Sequence, residues 1–401
     1  MKNILVLTSV YPAEEFSKRT TPVVHYFAKE WVKMGYNVKV IHNYAYFPKM
    51  FYPFIGAFKN ILLKFANNPR LHTKQRAYYK EYNMENVNVH RMPIFKLYPR
   101  ALFSTKSQRK QIQTIKELLE RLNFVPDYII GHWPNPQLLQ VYELGKIYNN
   151  ALTCMVMHHN VEAIRKITSP NTNQIISKID SWGFRSKNIQ DRFIKYYGKP
   201  NNSFICFSGV PQLNKENINR SFKSGIKEII FIGQLIPRKR PVDIIRAINL
   251  LPNKINYRIK FIGAGPERNA IKKIAEKSNL ENNISVIGNV PRSEVFEHLK
   301  TADCFIMLSK PETFGLVYLE AMSMGCITIG SKGEGIDGII QNSYNGFLIE
   351  PGNIKKLTRL LRKLDSMPAE DLACISDNAI KSVENYTDVK AAKHYIDSIR
   401  K

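Results

Sequence analysis

The sequence predicts an α/β protein with two Rossmann-like halves, and three observations predict it. The chain begins with a strand-like run from Asn3 to Ser9, a helical stretch over 21–34 and a second apolar run over 36–42, which together make a βαβ opening. A fresh opening of the same kind starts at Lys227-Glu228-Ile229-Ile230-Phe231-Ile232-Gly233. Between them a polar stretch, 211–226, reads as a linker. A length of 401 residues is enough for two cores of ordinary size.

In the first half, Gly35 is a natural stop for the opening helix. The loop from Val10 to Pro22 leaves the carboxyl end of the first strand, where doubly wound sheets bind ligands. Residues 45–66 alternate aromatic and aliphatic side chains with Lys49, Lys59 and Lys64 and contain no acid. Such a segment suits an anionic lipid surface; it also suits packing on the N-terminal domain and lining an acceptor pocket. Strands are expected at 86–91, 127–131 and 152–157, with an amphipathic helix over 105–122. The second of these strands runs into His132-Trp133-Pro134 and the third into His158-His159-Asn160, so the histidines sit at strand ends. A lone histidine beside a tryptophan is more often structural, and no carboxylate stands at metal-ligand spacing from the His-His pair, so no metal site is expected. Residues 164–197 read as helical and basic, and Lys199-Pro200-Asn201-Asn202 punctuates them before the run 203–211.

In the second half, Ile259 to Glu267 reads as strand, glycine turn and helix, although Gly263-Ala264-Gly265 alone is weak evidence for a nucleotide. Ile284 to Pro291 is a further strand and turn. The most informative stretch follows Asp303 to Leu308, an apolar run of strand length: Pro311-Glu312-Thr313-Phe314-Gly315-Leu316-Val317-Tyr318-Leu319-Glu320. A helix beginning near Phe314 or Gly315 leaves the N–H groups of Gly315, Leu316 and Val317 without intrahelical partners, a cradle for phosphate. Glu312 and Glu320 flank it, and two carboxylates beside a phosphate cradle suit a sugar nucleotide, one acid for the sugar and one for the ribose. The same spacing also fits an amphipathic helix whose glutamates face water.

Bulk properties narrow the classes further. Net charge is +26, from 59 Lys and Arg against 33 Asp and Glu, which calls for an anionic partner. The surplus is spread without a dense basic tail, and apolar residues accompany the basic ones in 45–66. A membrane surface or phosphorylated substrate therefore ranks above nucleic acid. Five cysteines, an odd number scattered through apolar runs, fit buried thiols in a reducing compartment. The N-terminus is unlike a cleavable signal peptide, and no apolar run reaches the length of a membrane span. A cytoplasmic protein is expected, peripheral on the inner face of the plasma membrane where 45–66 meets lipid.

Glu312 and Glu320, with seven residues between them and Phe314-Gly315 after the first, resemble the E-x7-E signature of retaining glycosyltransferases of family 4. Glu320-Ala321-Met322-Ser323-Met324-Gly325-Cys326 is similar to that family's continuation. Gln234 to Pro241, Gly263-Ala264-Gly265-Pro266-Glu267 and Asn345-Gly346-Phe347-Leu348-Ile349 extend the likeness, which is strongest over 228–352 and loosest over 43–126. The resemblance implies the GT-B fold, two Rossmann-like domains facing each other across a cleft. Residues 1–210 would form the acceptor side, 227–384 the nucleotide-sugar side, and 385–401 would return to the first domain.

The resemblance also implies roles. Lys239 neutralises the diphosphate, Glu312 binds the donor sugar's hydroxyls, Glu320 binds the ribose, and His132 orients the sugar. Gly233, Gln234, Arg238, Asn289, Val290, Phe314, Gly315, Leu316 and Val317 surround the donor; Thr20, Thr21 and His158 face the acceptor. The family needs neither metal nor cofactor. Two departures stand out. The usual Gly-Gly pair is replaced by Thr20-Thr21, and the usual arginine by Gln234, which cannot offset phosphate charge and leaves that task to Arg238 or Arg240.

The expected activity is transfer of a sugar, with retention, from a nucleotide-sugar (a UDP-sugar favoured) to a hydroxyl of a lipid-linked or oligosaccharide acceptor. That suits assembly of cell-surface polysaccharide, capsule or lipopolysaccharide. Two alternatives are a GT-B-fold sugar-nucleotide epimerase and a non-catalytic protein binding anionic ligands or membrane. The second would account for the net charge and for both departures.

Overall fold

In the computed structural model the described residues are 1–13, 22–48, 78–98, 101–159, 161–168, 170–212, 218, 220–222 and 225–400. They form two compact units: 1–185, 189–206 and 391–401 in one, 186–188 and 207–390 in the other. Thr20, Thr21 and all of 45–66 beyond Pro48 lie outside the described residues.

The first unit is an eight-stranded sheet of β1 (Asn3–Thr8), β2 (Asn37–Tyr46), β3 (Lys80–Met84), β4 (Val87–Phe95), β5 (Tyr128–His132), β6 (Leu152–Met157), β7 (Ser181–Phe184) and β8 (Ser203–Ile205), in the order β3-β4-β2-β1-β5-β6-β7-β8. Every pairing is parallel except β3 with β4. Both faces of the central strands are covered, which is why β1 and β5 read as unbroken apolar runs without alternation. The helix Val23–Lys33 turns Val24, Phe27, Ala28 and Trp31 inward at helical spacing.

Two elements differ from the sequence reading. The expected strand at 86–91 is the second arm of a hairpin, β3–β4, turned at Glu85 (φ 48°) and Asn86 (φ 66°). The first arm, Lys-Glu-Tyr-Asn-Met, is half exposed and polar, so it shows no apolar signal. The stretch 164–197 is not continuously helical: helices at Ala163–Thr168, Thr172–Ser177 and Lys187–Tyr197 are interrupted by β7, whose four residues are all buried. Ser-Trp-Gly-Phe is too short to show a period. Its Gly183 is where the sheet closes up: a Cβ there would sit 3.0 Å from Val156 and 3.1 Å from Phe204.

The second unit is a six-stranded, wholly parallel sheet of β9 (Glu228–Ile232), β10 (Arg258–Ile262), β11 (Ile284–Ile287), β12 (Cys304–Ile306), β13 (Ile327–Ser331) and β14 (Phe347–Ile349), ordered β11-β10-β9-β12-β13-β14. Helices Pro241–Asn249, Arg268–Lys277, Arg292–Lys300, Leu316–Ser323, Ile354–Asp365 and Ala369–Val383 accompany it. The last helix is Asp388–Asp397, and from Ala391 onward the chain belongs to the first unit. There Trp31 Nε1 donates to the Ala392 carbonyl at 2.9 Å, and the Tyr395 ring meets Phe27 and Trp31 edge-on, each at 5.1 Å.

Strand order reverses between β1 and β5 in the first sheet and between β9 and β12 in the second. Loops leaving the carboxyl ends of such strand pairs splay apart and leave room for a ligand. No helix among the described residues is long and apolar enough to cross a membrane.

Candidate functional site

In the second unit, the loops after β9 and β12 flank the reversal point, and they carry Lys239 and Glu312. The loop after β9 is held by close backbone contact. Gly263 has φ +138°, and a Cβ on it would lie 1.9 Å from the Gly233 carbonyl oxygen; one on Gly265 would lie 2.2 Å from that of Leu235. Leu235 N–H donates to Ala264 O at 3.0 Å and Glu267 N–H to Leu235 O at 2.9 Å. The Gly-x-Gly turn thus serves to seat the segment bearing Gly233 and Gln234. That segment passes into a single 3₁₀ turn, Pro237–Lys239.

Lys239 Nζ forms an ion pair with Glu312 Oε2, and both side chains are largely buried, 12% and 8% exposed. Ser309 Oγ donates to the same carboxylate oxygen at 2.7 Å, and Thr313 N–H reaches Oε1 at 3.2 Å. The Glu312 backbone is fixed from a third loop: its N–H donates to Glu334 Oε2 at 2.7 Å, and its carbonyl accepts from Gly335 N–H at 3.1 Å. Burial pushes the Glu312 carboxyl up, but Lys239, Ser309 and Arg238 together hold it below its ordinary value. It stays charged.

Of the two arginines available to compensate for Gln234, Arg238 donates to Pro311 O at 2.9 Å and Arg240 pairs with Asp243 at 2.6 Å. Arg238 therefore ties the Lys239 turn to the Glu312 loop, and Arg240 is engaged by Asp243 in the first turn of the helix that follows it.

The helix Leu316–Ser323 begins at Gly315, which takes the left-handed conformation (φ 77°), and has no side-chain cap. Tyr318 N–H to Gly315 O, 2.9 Å, is its first closing bond, which leaves the Leu316 and Val317 N–H groups ahead of it. Phe314 is buried, and Tyr318 Oη donates to Met307 O at 2.6 Å, locking the helix onto the end of β12. One turn on, Glu320 is buried and accepts from Arg292 Nε at 2.6 Å. Burial raises its carboxyl above the ordinary value; Arg292 opposes this and Asp388 adds to it. Asn289 and Val290 lie in the loop after β11, just before Arg292. Lys239, Glu312, Arg238 and the helix start are thus brought together, and Glu320 is tied to the 289–292 loop.

In the first unit His132 and His158 stand at the ends of neighbouring strands β5 and β6, and His132 Nδ1 lies 3.0 Å from His158 Nε2. Tyr395 Oη lies 3.2 Å from the other His132 ring nitrogen. His132 is wholly buried; burial, with the nearby Arg185 charge, lowers its pKa to about 3, so the ring is neutral. Both ring nitrogens are engaged inside the unit, and a sugar hydroxyl would have to displace one of these contacts. Trp133 stacks on His158 with ring centroids 3.8 Å apart.

Sequence reasoning missed two groups. Tyr11 Oη meets His25 Nδ1 at 2.8 Å, His25 Nε2 meets Glu85 at 2.6 Å, and Lys29 donates to Glu85 at 2.5 Å, at the root of the loop after β1. Nothing local to the sequence marks this network, because Glu85 comes from the unforeseen hairpin. Arg292 was the other. A cation at the first position of a helix opposes the helix dipole, and that local conflict was a usable signal.

Residues 214–382 match the family model for glycosyl transferases group 1. With the two parallel-sheet units, this supports a group 1 glycosyltransferase of GT-B fold. Over 144 residues, 36% of each chain, the sequence is 32% identical to N-acetyl-alpha-D-glucosaminyl L-malate synthase of Bacillus anthracis, so the match spans about a third of that relative. It is 28% identical to alpha-monoglucosyldiacylglycerol synthase of Acholeplasma laidlawii over 66% of this chain and 70% of that one. The solved structure of the lipopolysaccharide outer core galactosyltransferase WaaB, apo form, covers 99% of both chains with a TM-score of 0.69 at 16% identity. Anabaena HepE in complex with UDP and glucose gives 0.64 at 16% identity, again over 99% of both. At these identities the structures establish the fold alone.

Proposed function

We propose that the protein is a retaining glycosyltransferase of family 4 that moves a hexose from a nucleotide-sugar, a UDP-sugar by preference, to an acceptor hydroxyl. The single observation that carries this is the meeting of Lys239 and Glu312 beside the uncapped start of the helix Leu316–Ser323. A nucleoside diphosphate gains negative charge as it leaves, and a fixed ammonium with the N–H groups of the helix's first turn offsets that charge without reorganising. Glu312, kept ionised, accepts from the hydroxyls of the transferred sugar. Glu320 accepts from the ribose. The reaction is front-face: the departing phosphate takes the proton of the incoming hydroxyl, and no enzyme nucleophile is used. Neither metal nor cofactor enters the scheme.

The acceptor is a lipid-linked or oligosaccharide hydroxyl in cell-surface polysaccharide, capsule, lipopolysaccharide or glycolipid assembly. A relative named for glycolipid synthesis supports that choice, as does the net charge of +26 for work at an anionic membrane on the cytoplasmic side. The test is a thermal-shift screen of UDP-, GDP- and ADP-sugars, followed by titration of Lys239→Ala and Glu312→Gln. A UDP-sugar should stabilise the unaltered chain and neither variant. Sugar nucleotides that stabilise nothing, or bind both variants undiminished, would overturn the proposal. Product that forms only when an acceptor is present separates transfer from epimerisation.

A further inference from the structure

Building on the reading of Glu320 as the acid that binds the donor's ribose, we infer that Arg292 is a positioning residue for donor recognition. It holds one edge of the Glu320 carboxylate so that the other edge faces the ribose hydroxyls. Arg292 Nε donates to Glu320 Oε1 at 2.6 Å, with the two side chains 24% and 8% exposed. Among the described residues no partner is found for Glu320 Oε2. One oxygen is therefore taken from within the fold, and the other is left to accept from outside it.

The placement of Arg292 supports the assignment independently. It occupies the first position of the helix Arg292–Lys300, which has no side-chain cap, where the helix dipole disfavours a cation. It also directly follows the Asn289-Val290-Pro291 loop, so one side chain links that loop to Glu320. A buried glutamate without this clamp either rotates about its side-chain torsions or takes up a proton. Protonation converts an acceptor of two hydroxyls into a donor–acceptor that pairs less well with a diol. Burial and, to a lesser degree, Asp388 push Glu320 towards protonation, and Arg292 opposes both.

The experiment is titration calorimetry of the full chain with whichever of UDP, GDP and ADP binds tightest, and with its 2′,3′-dideoxy counterpart. The unaltered protein should prefer the nucleotide with an intact ribose. Arg292→Met should weaken that nucleotide about 10- to 100-fold, as expected for one lost charge-assisted contact, while leaving the dideoxy form within about twofold. Arg292→Lys should recover part of the loss, and Glu320→Gln should reproduce the Met pattern. A purely structural role would weaken both nucleotides alike. That result, or unchanged ribose discrimination in Arg292→Met, overturns the inference while leaving the donor site standing. If none of the three nucleotides binds the unaltered protein, the donor-site reading itself falls and takes this inference with it.

Discussion

Lys239→Met tests the energetics of the site most directly. Removing the ammonium leaves the Glu312 carboxylate buried, with Ser309 Oγ and the Thr313 N–H as its hydrogen-bond donors among the described residues and the Arg238 charge nearby. Breaking a buried pair from one side costs about 3–5 kcal/mol in general. Here a ceiling applies, because Glu312 can neutralise itself. Keeping it protonated costs about 1.4 kcal/mol per pH unit above its ordinary value of 4.5, hence about 3.4 kcal/mol at pH 7 and about 0.7 kcal/mol at pH 5. The sign follows from the native state. With Lys239 present the Glu312 pKa is depressed, so the pair contributes stability above the ordinary carboxylate range, and that contribution is lost as pH falls. That contribution is present at both pH 7 and pH 5, so the variant lacks it at both, and only the added cost of the orphaned Glu312 shrinks between them. At about 2–4 °C per kcal/mol, the drop in melting of the second unit should be about 5–11 °C larger at pH 7 than at pH 5. Lys239→Met combined with Glu312→Gln should regain most of the loss. Thermal melts of the two single variants and the double at both pH values decide it. A loss independent of pH, or a double variant no better than Lys239→Met, would refute the reasoning.

Other outcomes follow from the same geometry. Gly263→Ala places a methyl where the Gly233 carbonyl oxygen stands, 1.9 Å away, and should cost at least about 3 kcal/mol and abolish nucleotide binding; a calorimetric melt and a UDP titration check both. His132 has its pKa depressed to about 3, so the unfolded chain binds the extra proton first, and native stability is lost as pH falls from about 6.5 towards 3, by up to about 5 kcal/mol. His132→Asn should flatten that slope in urea titrations across the window; an unchanged slope would count against the buried neutral ring. Tyr395→Phe, which removes the hydroxyl facing His132, should destabilise the first unit by about 1 kcal/mol, read from the urea midpoint.

The architecture was legible wherever strands are buried on both faces. β1, β5 and β9 are plain in the sequence because parallel sheets covered by helices need unbroken apolar runs. That Lys239 and Glu312 serve the same donor was implied by the family resemblance alone; their meeting comes from the adjacency of β9 and β12, which each of them follows. Polar or very short elements were not legible. β3 shows a half-exposed face of Lys, Tyr and Met, and β7 has four residues, so neither displays a period. The Gly263-Ala264-Gly265 turn was weak evidence for a nucleotide on its own; its glycines make room for the Gly233 and Leu235 carbonyls. His132 was expected to face a sugar, yet its ring lies between His158 and Tyr395. That contact joins residues 263 apart in sequence, and no local pattern encodes it.

The return of the last residues to the first unit has a consequence for how the protein is made. Synthesis proceeds from the N-terminus, and domains ordinarily fold as they emerge. The first unit, however, is missing Ala391 to Arg400 until the whole second unit has been translated. Until then Trp31 lacks the carbonyl it will donate to, and Phe27 and His132 lack the tyrosine that will close over them. The nascent protein must therefore carry an aromatic seam unsealed while the whole second unit is translated. Truncation before Ala391 would leave that seam open for good.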